Sequence, residues 1–180
     1  MIENITKIDV ARRQLKEAIW LLFYERDTIS IHTLVAASHQ VLDDLCKHKG
    51  IDESIFSIVK SIIRQDKQKY FRGRIRQAGN FFKHADEDPE GMHEFRPALT
   101  HFFLFDSIRL LYQLTQSIFP EALVYQVWFN MKYPEILEEG ALKDSLFTNL
   151  GNDFNPDDFV LMRMVLLATS GSQDIPPPTP

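Results

Sequence analysis

Apolar residues recur at three- and four-residue steps over the first fifty positions, which is the spacing of one face of an α-helix. The first such stripe runs from Ile8 to Phe23. The polar stretch 25–28 breaks the pattern, and Ser30 has a side chain suited to cap a second helix. A second stripe runs from Leu34 to Leu45. The cations that follow it, and then Gly50, are typical of a helix C-terminus. The pattern predicts two helices packed as antiparallel neighbours.

The middle of the chain predicts two further helices. A third helix is expected from about Asp52 through Tyr70, with a break near Gly73, because a glycine costs about 1 kcal/mol inside a helix. A fourth helix is expected over 98–118, with Pro97 in its first turn. Apolar residues lie on nearly every side of this segment, so we expect it to be the buried central helix.

Two helices are predicted in the last third of the chain, and each has a proline at its start. Pro120 opens a fifth helix, and Asn155 followed by Pro156 combines an N-cap with a proline at the first helical position. That second start leads into the apolar stretch 159–168. No alternating strand pattern and no hairpin turn signal interrupt these segments. The predicted fold class is all-α, a multi-helix bundle of five to seven helices.

Composition sets the broad class. At 180 residues the chain fits a single domain, which we place at 1–170, followed by a disordered proline-rich tail over 171–180. The lone Cys46 excludes an intrachain disulfide and a zinc site built on cysteine pairs. The apolar runs are shorter than the roughly 20 residues a membrane span needs, and the N-terminus lacks a signal-peptide pattern. We therefore expect a cytoplasmic protein with no membrane contact.

Positive charge is concentrated in one segment of an otherwise acidic chain. Eight of the twenty Lys and Arg lie within 60–83, although the net charge of the chain is −5. Aromatic residues interleave with these cations, and acidic residues follow at once over 86–94. Such a segment suits RNA, whose phosphates attract cations and whose bases stack on rings. The sequence predicts RNA binding through 60–84, with contacts from Arg72, Arg74, Asn80 and Lys83. Two alternatives are an acidic partner protein and a solvated helix face whose aromatic residues turn to the core.

Common catalytic signatures are absent: there is no P-loop, no dinucleotide-binding glycine motif, no nucleophile elbow and no His-Glu-x-x-His. One possible metal cluster comprises His84, Asp86, Asp88 and His93, whose imidazole and carboxylate groups are common metal ligands. A solvated acidic loop is the plainer interpretation of the same residues.

Three polar residues lie in segments whose other residues predict a buried core. His32 and His39 are seven residues apart, which places them on one face of the second helix, either in a site or in a polar stripe. Asp106 lies within an apolar run, and Arg109 three residues later is its expected partner.

The segments Ala11–Leu22 and Ser30–Leu45 resemble the opening helix pair of HEPN domains, and the stretch from Arg76 to His84 resembles the position of that family's Arg-and-His motif. Seven residues separate Arg76 from His84, one more than is usual in the motif. The resemblance implies a helical bundle, commonly dimeric, and a metal-independent ribonuclease of toxin–antitoxin and phage-defence systems. It also implies that Arg76 and His84 are the catalytic residues.

The chemistry is consistent with that implication. Cleavage of RNA by its own 2'-hydroxyl needs a group that moves a proton near neutral pH, which histidine does, and cations that hold the phosphate. His84 beside Lys83 and Arg76 offers both groups without a metal, so we expect no cofactor.

Two alternatives to a ribonuclease stay open. One is a non-enzymatic dimeric interaction module, and the other is a metal-carboxylate enzyme using His84, Asp86 and Asp88. Whichever function holds, we predict a homodimer, because the apolar surplus on 98–118, with Phe81 and Phe82 nearby, exceeds what one face of a small bundle needs.

Overall fold

A computed structural model of the protein describes residues 2–51, 54, 76–86, 88–134, 154–169 and 171–174. Over these residues the chain is helical and contains no β-strand, which confirms the all-α prediction. The helices are α1 (Lys7–Phe23), α2 (Thr28–His48), α3 (described over 76–81), α4 (Ala98–Thr115), α5 (Pro120–Lys132) and α6 (Phe159–Thr169).

Helix α1 begins at a capping box and buries an entirely apolar face. The Thr6 hydroxyl accepts from the Asp9 backbone N–H at 3.1 Å, and the Asp9 carboxylate accepts from the Thr6 backbone N–H at 2.9 Å. Two otherwise unpaired donors of the first turn are satisfied in this way. The fully buried residues of α1 are Ala11, Leu15, Ala18, Ile19 and Phe23.

Helix α2 packs against α1 and starts earlier than the sequence suggested. Its N-cap is Asp27, whose carboxylate accepts from the Ser30 backbone N–H at 2.7 Å, so the prediction that Ser30 is the cap was wrong. Serine and aspartate both cap helices well. Asp27 is the cap because its carboxylate also interacts favourably with the positive N-terminal end of the helix. The predicted end is confirmed: α2 stops at His48, and Gly50 adopts a positive φ of 74°.

Helix α4 packs against α1, α2 and α5, but α1 packs against α2, α4, α5 and α6, so these contacts do not single out α4 as the central helix. It is shorter than expected, since it ends at Thr115 and Gln116 follows in a left-handed conformation with φ of 53°. Pro97 occupies the N-cap position rather than the first helical turn. The buried face of α4 carries polar as well as apolar residues: Thr100, Phe103, Leu104, Asp106, Ser107, Ile108, Leu110 and Leu111.

Helices α5 and α6 close the other side of the bundle through aromatic side chains. Phe129 of α5 stacks on Phe105 of α4 with ring centroids 4.4 Å apart, and the Trp128 indole N–H donates to the Pro156 carbonyl at 2.7 Å. The predicted cap Asn155 does not start α6. The Asp158 carboxylate accepts from two backbone N–H groups of the first turn instead, each at 3.1 Å.

Several predictions fall outside the described residues. They are the third helix beyond residue 54, the break near Gly73, and positions 175–180 of the proline-rich tail. The single domain over 1–170 therefore stays a prediction. No helix in the described part of the chain is long and apolar enough to cross a bilayer.

Candidate functional site

The described part of the basic segment is α3 and the turn after it, and this element lies directly on α2. Gly79 of α3 is buried, and a Cβ atom added there would lie 3.0 Å from the Cβ of Ala36. That distance is tighter than a normal van der Waals contact, so the absence of a side chain at Gly79 sets how closely the two helices approach. The close approach brings polar side chains of both helices together.

A cavity of about 110 Å³ opens between α3 and α2. The sequence-predicted residues Arg76, Asn80, Lys83 and His84 all line it. From α2 it is lined by His32, His39 and Gln40. Asn80, Lys83 and His84 are exposed, whereas His32 and His39 are each 2% exposed. The site therefore has a cationic outer rim and an imidazole-lined inner wall.

A buried carboxylate fixes the arginine of this rim. Asp43 of α2 is 1% exposed, and its Oδ2 atom accepts from Arg76 Nη2 at 3.0 Å and also from the Lys47 ammonium. A buried charge needs such partners to be tolerated. Asp43 thus anchors α3 to α2 and holds the Arg76 guanidinium at the edge of the cavity.

His32 is a neutral part of the inner wall. Its Nδ1 atom lies 2.9 Å from the Thr100 hydroxyl of α4, and its ring meets Phe95 and Phe103 edge to face. Burial, with a smaller contribution from the positive charge of Lys83, lowers the pKa of His32 to about 4. His32 therefore carries no charge at neutral pH.

His39 belongs to a buried polar chain that links α2 to α4. Its Nε2 atom lies 2.8 Å from Asp106 Oδ2, and Asp106 Oδ1 accepts from Arg109 Nη2 at 3.0 Å. The predicted Asp106–Arg109 pair is confirmed, and His39 is the further partner that the sequence did not assign. Both carboxylate oxygens are used, which explains how an aspartate is accommodated in an apolar helix.

The residues of the possible metal cluster do not gather around one point. No group of three His, Cys, Asp or Glu in the described ranges is arranged to hold a metal ion. His93 packs its ring against Phe81, with centroids 5.4 Å apart, while Asp88 folds over Gly91 in an exposed turn. The geometry of the described residues gives the metal-carboxylate alternative no support.

Sequence reasoning placed part of the site and missed the rest. Arg72 and Arg74 lie outside the described residues, as do the other cations upstream of Arg76. On α2 the sequence indicated His32 and His39 as residues of one helix face, but Asp43, which lies four residues beyond His39 on the same face, was missed. That polar stripe on an amphipathic helix was the available signal.

No family model, no curated protein sequence and no solved structure matches the chain. We therefore infer the function from the residues of the site.

Proposed function

We propose that this chain is an HEPN-like protein that binds RNA through the basic segment 60–84 and cleaves it without a metal ion. One observation carries the proposal. The four described residues that the sequence assigned to RNA, namely Arg76, Asn80, Lys83 and His84, line a single cavity against α2, and their helical spacing places them on the same face.

The cavity suits a phosphate. Arg76 and Lys83 supply two positive charges at its rim, and a volume of about 110 Å³ is large enough for a phosphate group. Asp43 holds the Arg76 guanidinium in a fixed position, so less conformational freedom is lost when an anion binds. Additional phosphates of the same strand would meet the cations of the remaining basic segment.

The reaction needs proton transfer at this phosphate. The 2'-oxygen of the preceding ribose attacks phosphorus, a new 2'-O–P bond forms, and the bond to the 5'-oxygen breaks. The 2'-hydroxyl loses its proton to a base and the leaving 5'-oxygen gains one, so no other co-reactant is consumed. His84 is exposed at the rim and carries the proton in this scheme, while Arg76 and Lys83 stabilise the negative charge that develops on the phosphate oxygens.

The direct test is incubation of purified protein with a mixed RNA pool in the presence of EDTA. Wild-type protein should give fragments ending in 2',3'-cyclic phosphate and beginning with 5'-hydroxyl. His84→Ala should lower the rate by a factor on the order of 100 or more, with RNA affinity nearly unchanged. His48→Ala is the matched control, because His48 is exposed at the end of α2 and does not line the cavity. RNA left intact by wild-type protein at high concentration would refute the ribonuclease proposal.

A non-enzymatic interaction module is the second candidate, and α6 is the observation that favours it. Val160, Met164 and Leu167 on this helix are each more than half exposed. By contrast, Phe102 and Phe105 of α4 pack on Phe129 of the same chain, so the apolar surplus that motivated the homodimer prediction is largely used internally. A homodimer would then form through α6. Light scattering at tens of micromolar, compared between wild type and Met164→Glu, tests this: a wild-type monomer would refute it.

A further inference from the structure

A second and larger cavity of about 480 Å³ adjoins the one between α2 and α3 at His32 and Phe103. These two buried residues line both cavities, so they form a shared wall. The proposed RNA chemistry uses only the smaller space. The larger one falls within the range of small-ligand sites, about 300–1,000 Å³, and it has no assigned occupant.

The inner part of the large cavity is aromatic and uncharged. Phe95 meets His32 edge to face with centroids 5.2 Å apart, and Phe103 does the same at 5.9 Å. Because burial lowers the pKa of His32 to about 4, the shared wall adds no positive charge at neutral pH. This wall favours a neutral planar group, whereas the cations Arg76 and Lys83 of the smaller cavity favour an anion.

The mouth of the large cavity exposes apolar surface. Met92 is 98% exposed and Leu99 is 53% exposed, and both line the opening. A flat ligand with an apolar face would cover these side chains and remove them from water.

The same mouth carries hydrogen-bonding groups of both kinds. Gln77 has an amide that donates and accepts, Glu94 accepts, and Arg96 donates. Arg96 and Glu94 pair with each other at 3.1 Å, but their side chains are 72% and 83% exposed, so the pair is held weakly and a ligand can compete for it. The edges of nucleobases present this mixture of donors and acceptors around a planar ring.

We propose that the large cavity binds a single nucleobase. For the base of an RNA strand, the inference rests on the proposed function: the phosphate lies by Arg76 and Lys83, and an adjoining base enters the neighbouring cavity across the shared wall of His32 and Phe103. A free nucleotide offers the same base chemistry, and the experiment separates the two sources.

The test measures affinity for six-nucleotide RNAs that are 2'-O-methylated to prevent cleavage. The base is removed from one position at a time, and adenosine monophosphate is titrated in parallel. For wild-type protein, removal of the base at one position should weaken RNA binding on the order of 10-fold, because stacking of one base contributes that much. Ala78→Leu fills the cavity from α3 and should abolish the difference between intact and abasic RNA. Ala168→Leu, an exposed position on α6, is the matched control and should retain it.

The outcomes separate the two proposals. Equal affinity for intact RNA and for every abasic RNA would overturn the base site and leave phosphate binding intact. Binding of adenosine monophosphate that Ala78→Leu abolishes, with no RNA binding, would overturn the proposed function and support the base site with a free nucleotide. Wild-type protein that binds neither ligand would overturn both. Where circular dichroism shows that Ala78→Leu is misfolded, Phe95→Leu replaces it, because it removes a ring from the same cavity and retains most of the side-chain volume.

Discussion

Helices α1 and α2 pack side by side yet bury different kinds of residue. Every buried side chain of α1 is apolar, whereas α2 buries His32, Ser38, His39 and Asp43 among its apolar residues. Three of these four polar groups reach other helices, through contacts with Thr100, Asp106 and Arg76. Buried polar groups contribute less to stability than well-packed apolar ones and are costly when a partner is lost. Helix α1 therefore contributes mainly to the stability of the fold, whereas α2 also supplies side chains to the candidate site.

Among single substitutions, the largest effect on stability should come from the apolar residues that α1 buries. Phe23 of α1 is fully buried and meets Trp128 and Phe159 with its ring. Phe23→Ala should lower the free energy of unfolding by about 4 kcal/mol, because it removes apolar burial and leaves a cavity. Urea denaturation measures this. A loss below about 1 kcal/mol would mean that α1 is not part of the central core.

Acidification should lower the stability of the fold through its buried histidines. Burial is the largest cause of the lowered pKa values, about 4, of both His32 and His101. Both are neutral in the folded protein, while the unfolded chain takes up protons below pH 6.5. Their contribution to stability is therefore complete above pH 6.5 and is lost as the pH falls toward 4, at about 1.4 kcal/mol per pH unit for each histidine.

The variant His32→Asn tests whether His32 causes part of this pH dependence of stability. Its unfolding free energy should fall less steeply than that of wild type between pH 6.5 and 4, in denaturation series at half-unit steps. Parallel curves for the two proteins would show that His32 is not the group that titrates.

The polar chain between α2 and α4 should give an intermediate effect. Asp106→Asn keeps the size of the side chain but removes the charge that His39 and Arg109 share, and should destabilise the fold by about 2 kcal/mol. Asp44→Asn is the control, since Asp44 is an exposed α2 carboxylate bonded to Gln40, and should change stability by less than about 0.5 kcal/mol. Similar losses in the two variants would contradict the importance of the buried chain.

The contact between α2 and α3 should show the smallest effect. Gly79→Ala gains helix propensity, yet its new Cβ meets the Cβ of Ala36 at 3.0 Å. In a double-mutant cycle, Ala36→Gly should relieve the crowding, with a coupling free energy of about 1 kcal/mol between the two sites. Additive effects would show that Gly79 does not set the distance between the helices.

Local patterns predicted the helices better than they predicted the site. The apolar stripes of α1 and α2 and the proline at the start of α5 gave the correct elements, because helix periodicity and proline geometry act over a few residues. The caps were misplaced by three residues at both Asp27 and Asp158, since several neighbouring polar residues can cap and the choice depends on packing of the first turn.

The site depends on contacts that local patterns do not encode. His39 meets Asp106 across 67 positions, and Asp43 meets Arg76 across 33. Arg76, Asn80, Lys83 and His84 were recognised as candidates from charge and resemblance. Their partners on α2 required knowledge of which helix face meets which, and that is set by tertiary packing.

If RNA phosphate binds at the cavity between α2 and α3, as we propose, the affinity for RNA should depend on salt concentration. The logarithm of RNA affinity should fall linearly with the logarithm of salt concentration, because phosphate contacts release counterions. Lys83→Gln should reduce that slope by about 1, whereas Lys49→Gln, an exposed lysine at the end of α2 outside the cavity, should leave it unchanged. Equal slopes for wild type and both variants, or affinity that does not respond to salt, would show that phosphate does not bind at this cavity.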